Sequence, residues 1–258
     1  MMRVLHLCWP RSLHTSFCLL LQAALIFLAS GLVHAQTPYR DETHNWQMTI
    51  PKGWEIGPKE LVEAVNLETA KRKPDSRAVF LISFVPEGIK LPTPIYVLAQ
   101  YNPLSLRNVP YDQIKQSLGV EFPENAESTI KQGFSDVVSS VKFDTPIFDE
   151  SRNRWISYSL LNFPNGEIHR IMTVGVLMNK GIMHLFCYAP QDAFAAHATT
   201  FAQMADSIQI DESHAFVPYQ PTSKPKAPEK SQPSWLFMGF PLFLLAFVIF
   251  YMINKRKK

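Results

Sequence analysis

Two consecutive turns between apolar segments, within residues 154–188, place the strongest constraint on the fold of this chain. The first turn is Pro164-Asn165-Gly166, and an Asn-Gly pair between apolar runs is a strong signal for a β-hairpin. The second turn is Asn179-Lys180-Gly181, in which Gly181 is expected to supply the positive φ of a three-residue loop. The sequence therefore predicts three consecutive antiparallel strands.

The register of the second hairpin predicts which side chains share a face. We expect Met178 to lie opposite Ile182. Because successive side chains of a strand point to opposite faces, both faces are then apolar and both need cover. One face would carry Met172, Val174, Val176, His184, Phe186 and Tyr188, and the other would carry Ile171, Leu177, Met183, Leu185 and Cys187.

Three segments with apolar residues at helical spacing can provide this cover. The clearest is residues 191–205, with Asp192 near the amino end, where a carboxylate is favourable. Residues 110–119 repeat the pattern between a proline and a glycine, which are common at the two ends of a helix. Residues 58–70 form the third predicted helix.

Two further strands, residues 78–86 and 93–101, are predicted from their apolar and β-branched content. The predicted fold class is α+β. We expect a mostly antiparallel sheet with helices on both faces, an α/β/α sandwich, in one domain that spans residues 36–211. An additional C-terminal transmembrane helix is predicted outside this domain.

The first 35 residues have the pattern of a secretory signal peptide. Arg3 and Arg11 give a basic start, a long apolar run follows, and Val-His-Ala places small residues before Gln36. The alternative is an uncleaved helical anchor, because the apolar run approaches the length that spans a membrane. In either case the domain that follows is expected to be exported.

The carboxy-terminal end predicts a membrane tether. Residues 235–253 carry no charge, and this length suffices for a transmembrane helix. The basic tail, residues 254–258, predicts a cytoplasmic carboxy terminus. Residues 212–234 contain five prolines and no glycine, which predicts an extended linker or, alternatively, a proline-rich ligand. We therefore expect a single-pass protein of the cytoplasmic (inner) membrane whose domain faces the periplasm or the cell exterior.

The charge of the exported part argues against a nucleic-acid-binding protein, and its cysteine content argues against a disulfide-stabilised one. Of the 25 Lys and Arg residues, two precede Gln36 and four form the tail, which leaves 19 against 22 Asp and Glu and a net charge of about −3. A nucleic-acid partner needs a basic face, so we expect none. Cys187 is the single cysteine after the signal and cannot form an internal disulfide. We interpret Cys187 as a buried strand residue rather than as a catalytic nucleophile.

The ends of the predicted domain resemble a known family. The segment "WQMTIPKGWEI", residues 46–56, and the segment "FAQMADSIQI", residues 201–210, are similar to the PsbP-like α/β/α sandwich superfamily. That superfamily includes photosystem extrinsic subunits, bacterial envelope proteins of the DcrB type and a eukaryotic Ran-binding factor. The chain departs from it in its predicted C-terminal span and in a proline-rich middle, residues 86–110.

The resemblance implies positions for the opening segment. The strand formed by residues 46–50 would lie in the sheet, and Gly53 would permit the tight turn that follows. Trp54 would pack under a helix. Both Trp46 and Trp54 are therefore expected in the core rather than in a ligand platform.

The exported part contains no sequence motif of a hydrolase, a zinc protease, a redox thiol pair or a nucleotide-binding loop. The five histidines do not have metal-ligand spacing, so neither a metal nor a cofactor is predicted. Asp149 and Glu150 are the alternative cation site, and residues 151–154, "SRNR", are expected to form a solvated turn. The histidines are His44, His169, His184, His197 and His214.

The proline-rich middle contains the candidate binding loop. Loops held by a rigid sheet commonly carry function, and binding energy concentrates in aromatic and arginine anchors. In this loop the candidate aromatic and arginine anchors are Tyr101, Arg107 and Tyr111. An irregular crossover with ordinary packing is the alternative.

Three functions remain compatible with the sequence. The first is a non-catalytic, membrane-tethered extracytoplasmic domain that docks on another envelope protein or complex. The second is a carrier or sensor for a small apolar ligand held between sheet and helix. The third is a hydrolase without a recognisable motif, which needs a Ser or Asp beside a histidine in a cleft. The clear tether and the missing motifs favour the first.

Overall fold

The computed structural model describes residues 37–72, 74, 76–89, 93–106, 109–118 and 138–219. The predicted signal peptide, the span, the basic tail and most of the linker lie outside these residues. Within the described part, no helix combines the length and the apolar character needed to cross a bilayer.

The described part of the chain combines runs of strands with single helices between them, as in an α+β protein, which was the predicted class. The strands are β1 (Thr37–Asp41), β2 (Trp46–Ile50), β3 (Trp54–Ile56), β4 (Val79–Pro86), β5 (Tyr96–Pro103), β6 (Ser140–Phe143), β7 (Ile147–Asp149), β8 (Arg154–Asn162), β9 (Ile168–Met178), β10 (Gly181–Pro190) and β11 (Gln209–Ile210). The α-helices are α1 (Lys59–Arg72), α2 (Tyr111–Gln116) and α3 (Gln191–Asp206), and short 3-10 helices occupy Glu150–Arg152 and Glu212–His214.

The main sheet has eight strands, and its described pairings are antiparallel. The order is β3-β4-β5-β10-β9-β8-β6, with β7 also paired to β8. The long strands β8, β9 and β10 form the centre, where the two predicted hairpins lie. The mostly antiparallel sheet expected from the turn residues is thus confirmed.

A second sheet of three strands, β1-β2-β11, packs beside the main one, and the sequence did not predict it. The expectation that residues 46–50 lie in the main sheet is wrong. Side chains of Trp46, Met48 and Ile50 are buried, whereas the residues between them are half-buried. This one-sided alternation is typical of a strand that packs on a neighbour through one face.

Helices cover both faces of the main sheet, as predicted. The first face lies under α1 and α2, whose buried residues include Leu61, Val65 and Ile114. The second face lies under α3 and the small sheet, through Phe194 and Phe201. Each face therefore has its own hydrophobic cluster, and the sheet separates the two.

The register of the second hairpin differs from the prediction by one residue. Met178 pairs with Gly181 rather than with Ile182, so the loop contains two residues, Asn179 and Lys180. Gly181 does not adopt a positive φ. Glycine is required at position 181 because β5 lies close to its Cα atom. A Cβ atom there would lie 2.6 Å from the carbonyl oxygen of Asn102. The shift moves every side chain of β10 to the opposite face, so His184, Phe186 and Tyr188 share the first face with Ile171 and Leu177.

The opening turn and the first hairpin follow the sequence closely. Gly53 has φ +79° and Gly166 has φ +85°, both in the region that glycine favours. Trp46 is buried, and the Trp54 ring packs edge-on against Phe201 of α3 at 5.8 Å. Both tryptophans therefore contribute to packing, as expected.

The packed part of the chain continues beyond residue 211, where the linker was expected to begin. Ala215 forms a β-bridge with Met178, and Phe216 is only 3% exposed. Asn153 donates a hydrogen bond to the carbonyl oxygen of Phe216 at 3.1 Å. The segment up to Phe216 is thus part of the folded domain.

Candidate functional site

A surface cleft of about 520 Å³ lies where the end of α3, β11 and the loop before β8 meet. We call it the Arg152 cleft. Its apolar lining includes Val176, Leu177, Ala205, Ile208 and Ile210, and its charged lining consists of Arg152, Arg154, Asp206 and Glu212. The lining of the cleft thus combines apolar and charged side chains, as protein-binding surfaces commonly do.

The loop before β8 forms the cleft because of a left-handed residue. After the 3-10 helix Glu150–Arg152, Asn153 adopts φ 49° and ψ 43°. Asn is among the few residues other than glycine that tolerate this conformation. The turn directs Arg154 inward and leaves Arg152 on the rim. The expectation that residues 151–154 form a solvated turn is therefore wrong for Arg154, which is only 9% exposed.

Arg154 joins three parts of the cleft through its guanidinium group. Its Nη1 donates to the carbonyl oxygen of Ala205 at 3.2 Å, and its Nη2 donates to Asp206 Oδ1 at 2.8 Å. Its Nε donates to Asp149 Oδ2 at 3.3 Å. A cation at the carboxy end of α3 also interacts favourably with the helix dipole. Arg154 thus fixes the wall of the cleft.

The two carboxylates bound by Arg154 have lowered pKa values and are therefore ionised near pH 7. The hydrogen bond from Arg154 is the main cause that lowers the pKa of Asp206, and the hydrogen bond from Ser151 is the main cause that lowers the pKa of Asp149. Arg152 is more exposed, and its Nη1 contacts Asp206 Oδ1 at 2.7 Å. Because this second pair is in contact with solvent, the Arg152 guanidinium can exchange Asp206 for an external carboxylate at low cost.

The alternative cation site at Asp149 and Glu150 is occupied by the protein's own donors. Asp149 accepts from Ser151 and Arg154, and Glu150 is paired with Lys115. No group of three or more His, Cys, Asp or Glu residues suited to a metal occurs in the part of the chain that the structure describes. The arrangement is that of an ion-pair network.

The residues of the candidate loop lie on different faces of the sheet. Tyr101 packs against the cluster of the second face, and its hydroxyl donates to the carbonyl oxygen of Lys180 at 2.7 Å. Tyr111 packs against Phe216 in the cluster of the first face, and burial raises its pKa to about 12. Arg107 lies outside the described residues. Partner binding at these three residues stays a prediction.

Two of the histidines are buried in the first face. Burial lowers the pKa of His184 to about 3 and that of His169 to about 4. Both are therefore neutral near pH 7. Neither lines the Arg152 cleft.

The other histidines have local partners. His44 Nδ1 contacts Asp41 Oδ2 at 2.8 Å, within a turn whose carboxylate also accepts from Trp46. The His197 ring packs edge-on against Trp54. No serine or cysteine lies beside these two rings in the described contacts.

His214 is the one histidine with a neighbouring serine among the described residues. Its Nδ1 lies 2.9 Å from Ser213 Oγ, and its Nε2 lies 3.3 Å from the amide nitrogen of Asn45. The direction of both hydrogen bonds depends on the imidazole tautomer. The Ser213–His214 contact is exposed, and neither residue lines the Arg152 cleft.

Cys187 is a buried strand residue of the second face, as expected. Burial raises the pKa of its thiol well above the usual value, which keeps the thiolate form rare.

The sequence missed the Arg152 cleft. Its charged partners, Arg154 and Asp206, are 52 residues apart in the chain, so no local spacing reveals the pair.

Comparisons with known proteins find similarity among solved structures. No protein-family model matches the chain, and no curated protein matches it in sequence. Among solved structures, the chain is similar to the solution structure of cyanobacterial PsbP (CyanoP) from Synechocystis sp. PCC 6803. The TM-score is 0.44 at 8% sequence identity, and the alignment covers 70% of this chain and 96% of that chain. The likeness concerns the fold alone.

Proposed function

We propose that this chain is a non-catalytic, membrane-tethered extracytoplasmic domain that docks on another envelope protein through the Arg152 cleft. The tether is the apolar segment of residues 235–253, with the signal peptide directing export. The domain is held outside the cytoplasmic membrane by the linker and the basic tail.

The observation that carries this proposal is the combination of surfaces in the Arg152 cleft. Protein interfaces place apolar contacts at the centre and polar groups at the rim, and arginine is a frequent anchor. Here Arg154 and Asp206 hold the rim in a fixed geometry, while Arg152 is 53% exposed and available to a partner.

Site-specific photo-crosslinking in intact membranes tests the docking site. A photoreactive phenylalanine analogue at position 152 or 212 should give a discrete protein adduct. Glu63 provides the matched control, because it is exposed on α1 over the first face, on the other side of the sheet from most of the cleft. Position 107 tests the candidate loop in the same experiment.

The positions that give adducts show which surface of the domain binds the partner. Adducts at 152 and 212 with none at 63 support the cleft. Adducts at 107 alone would move the docking surface to the loop of Tyr101, Arg107 and Tyr111. If no position gives an adduct, docking on a protein partner is wrong.

The proposed orientation has a separate test. Protease added outside the cytoplasmic membrane should digest or release the domain, since the basic tail keeps the carboxy terminus inside. Full protection of the domain, with a tag after Lys258 accessible from outside, would reverse the orientation and reject the proposal.

A further inference from the structure

The two faces of the main sheet differ in their buried residues. Along β5, β9 and β10, the second face carries apolar side chains, among them Val97, Val174 and Leu185. The first face carries buried polar side chains in the same strands. They are Gln100 in β5, Thr173 in β9 and His184 in β10, and Ser83 joins them from β4.

The strand register places Gln100 and His184 side by side, with Ser83 and Thr173 diagonally from them. His184 lies opposite Gln100 on one side and opposite Gly175 on the other. Two residues further along the strands and on the same face, Ser83 lies opposite Leu98, and Phe186 lies between Leu98 and Thr173. We call Ser83, Gln100, Thr173 and His184 the polar row. It crosses four adjacent strands under the helices of the first face.

The polar row is not satisfied by the protein. Among the described residues, no hydrogen-bond partner is found for either amide atom of Gln100, for His184 Nδ1, for Thr173 Oγ1 or for Ser83 Oγ. Gln100 is fully buried, and His184 is 4% exposed. An unpaired buried polar group lowers stability, and native proteins contain few. Four neighbouring examples on one face therefore indicate groups kept for a partner that is not part of the chain.

The surroundings define the chemistry of that partner. The Trp155 ring meets His184 edge-on at 5.9 Å, and the Phe186 ring stacks on it at 5.5 Å with an interplanar angle of 13°. The Trp155 indole lies over Gly175, where a Cβ atom would come within 2.3 Å of it. Flat aromatic surfaces thus border the row and favour a planar ligand.

The surroundings also define the charge of the partner. Within the described part of the chain, Arg154 is the single buried polar residue with a fixed charge, and it belongs to the Arg152 cleft. Burial keeps His184 neutral by lowering its pKa to about 3. A charged ligand would therefore lie in the row without a counter-ion, at a high cost.

We propose that the polar row is a binding site for a small, neutral, planar molecule that carries a hydrogen-bond donor and an acceptor on one edge, such as a heteroaromatic carboxamide. The side-chain amide of Gln100 presents the complementary acceptor and donor, the pairing by which glutamine also recognises a base edge. Thr173 and Ser83 supply hydroxyl groups. This site differs from the apolar-ligand hypothesis because its specificity comes from hydrogen bonds, and it is separate from the proposed docking cleft.

Nicotinamide and nicotinate form a matched pair of probes, because they share a ring and differ in charge. In calorimetric titrations of the full-length chain in detergent micelles, nicotinamide should bind saturably and nicotinate should not. The substitution Gln100→Met should weaken nicotinamide binding about tenfold or more. Val97→Ala, on the opposite face of the same strand, should leave it unchanged.

Thermal unfolding gives an independent readout that does not depend on the probe. If the row is kept for a ligand, Gln100→Met and Thr173→Val should raise the melting temperature of the ligand-free protein, since each removes unpaired buried atoms. If both variants lower it, internal water satisfies the row and the proposal is wrong. Failure of nicotinamide to bind the wild-type chain, or equal binding of nicotinate, would also overturn it.

Discussion

His184 shows how burial of a single residue couples stability to pH. Its ring lies in the first face between Trp155 and Phe186, and burial lowers its pKa to about 3. In the unfolded chain a histidine titrates near pH 6.5. Above that pH both states are neutral and the residue adds no pH dependence. As the pH falls from about 6.5 toward 3, the unfolded state binds a proton that the folded state excludes, so stability decreases.

We expect this effect to be visible in the free energy of unfolding. Each such histidine should contribute a slope of about 1.4 kcal/mol per pH unit between pH 6 and pH 4. The variant His184→Gln should lose one such contribution, and His169→Gln should lose part of another above about pH 4. Urea titrations at half-unit pH intervals would measure the slopes.

A control separates titration from packing. Thr173→Val changes the same face without removing a titratable group, so its slope should equal that of the wild type. If His184→Gln also keeps the full wild-type slope, His184 is protonated in the folded protein and the assignment of a neutral core histidine is wrong.

At the scale of the elements, the β8–β9 and β9–β10 hairpins illustrate two different uses of glycine. Glycine is required at position 181 because β5 lies close by, and a Cβ atom would lie 2.6 Å from the carbonyl oxygen of Asn102. Glycine is favoured at position 166, in the β8–β9 hairpin, because the backbone there has a φ of +85°, and a Cβ atom would meet no neighbouring atom. The first requirement is steric and the second is conformational.

The two requirements predict different responses to substitution. Gly181→Ala should lower the free energy of unfolding by about 2 kcal/mol, as for other overpacked sites. Gly166→Ala should cost about 1 kcal/mol from the left-handed backbone, and Gly166→Asn should cost less because Asn tolerates that region. Denaturant titration of the three variants measures these differences. If Gly166→Asn costs as much as Gly181→Ala, the distinction fails.

The two hairpins also show how much of the fold could be predicted from the sequence. Turn residues are local, so both hairpins and the three strands could be read from the chain. The register could not, because the two-residue loop depends on contact between Gly181 and Asn102 in β5. Likewise the small sheet requires β2 to pair with β11, more than 150 residues away, and nothing near Trp46 indicates that partner.

The candidate site was harder to predict than the fold for a related reason. Sequence patterns identify groups that act together when their spacing is fixed by one element. Here the Arg152 cleft brings together three separated segments, and the polar row brings together four strands. Gln100 and Thr173 fall within predicted strands, but a polar residue in an apolar strand carries no signal about its partner.

At the scale of the whole molecule, the boundary of the folded domain has a direct test. Phe216 packs in the first-face cluster near Tyr111, and its carbonyl oxygen accepts from Asn153. Asn179 also binds the backbone of this segment, through His214 and Ser213. These contacts connect residues 212–216 to the loop before β8 and to the loop after β9.

We expect residues 36–219, produced without the predicted signal and span, to be a monomer that unfolds cooperatively and is insensitive to reducing agent, since its one cysteine cannot form an internal disulfide. Residues 36–211 should be less stable by about 3 kcal/mol or more, the usual cost of losing a buried phenylalanine. Phe216→Ala within 36–219 is the matched control, because it removes the ring and keeps the backbone contacts. Calorimetric melting temperatures should therefore fall in the order 36–219, Phe216→Ala, 36–211. Equal melting temperatures for 36–219 and 36–211 would mean that the segment after Asp211 only lies on the surface, and that the linker begins where the prolines alone predicted it.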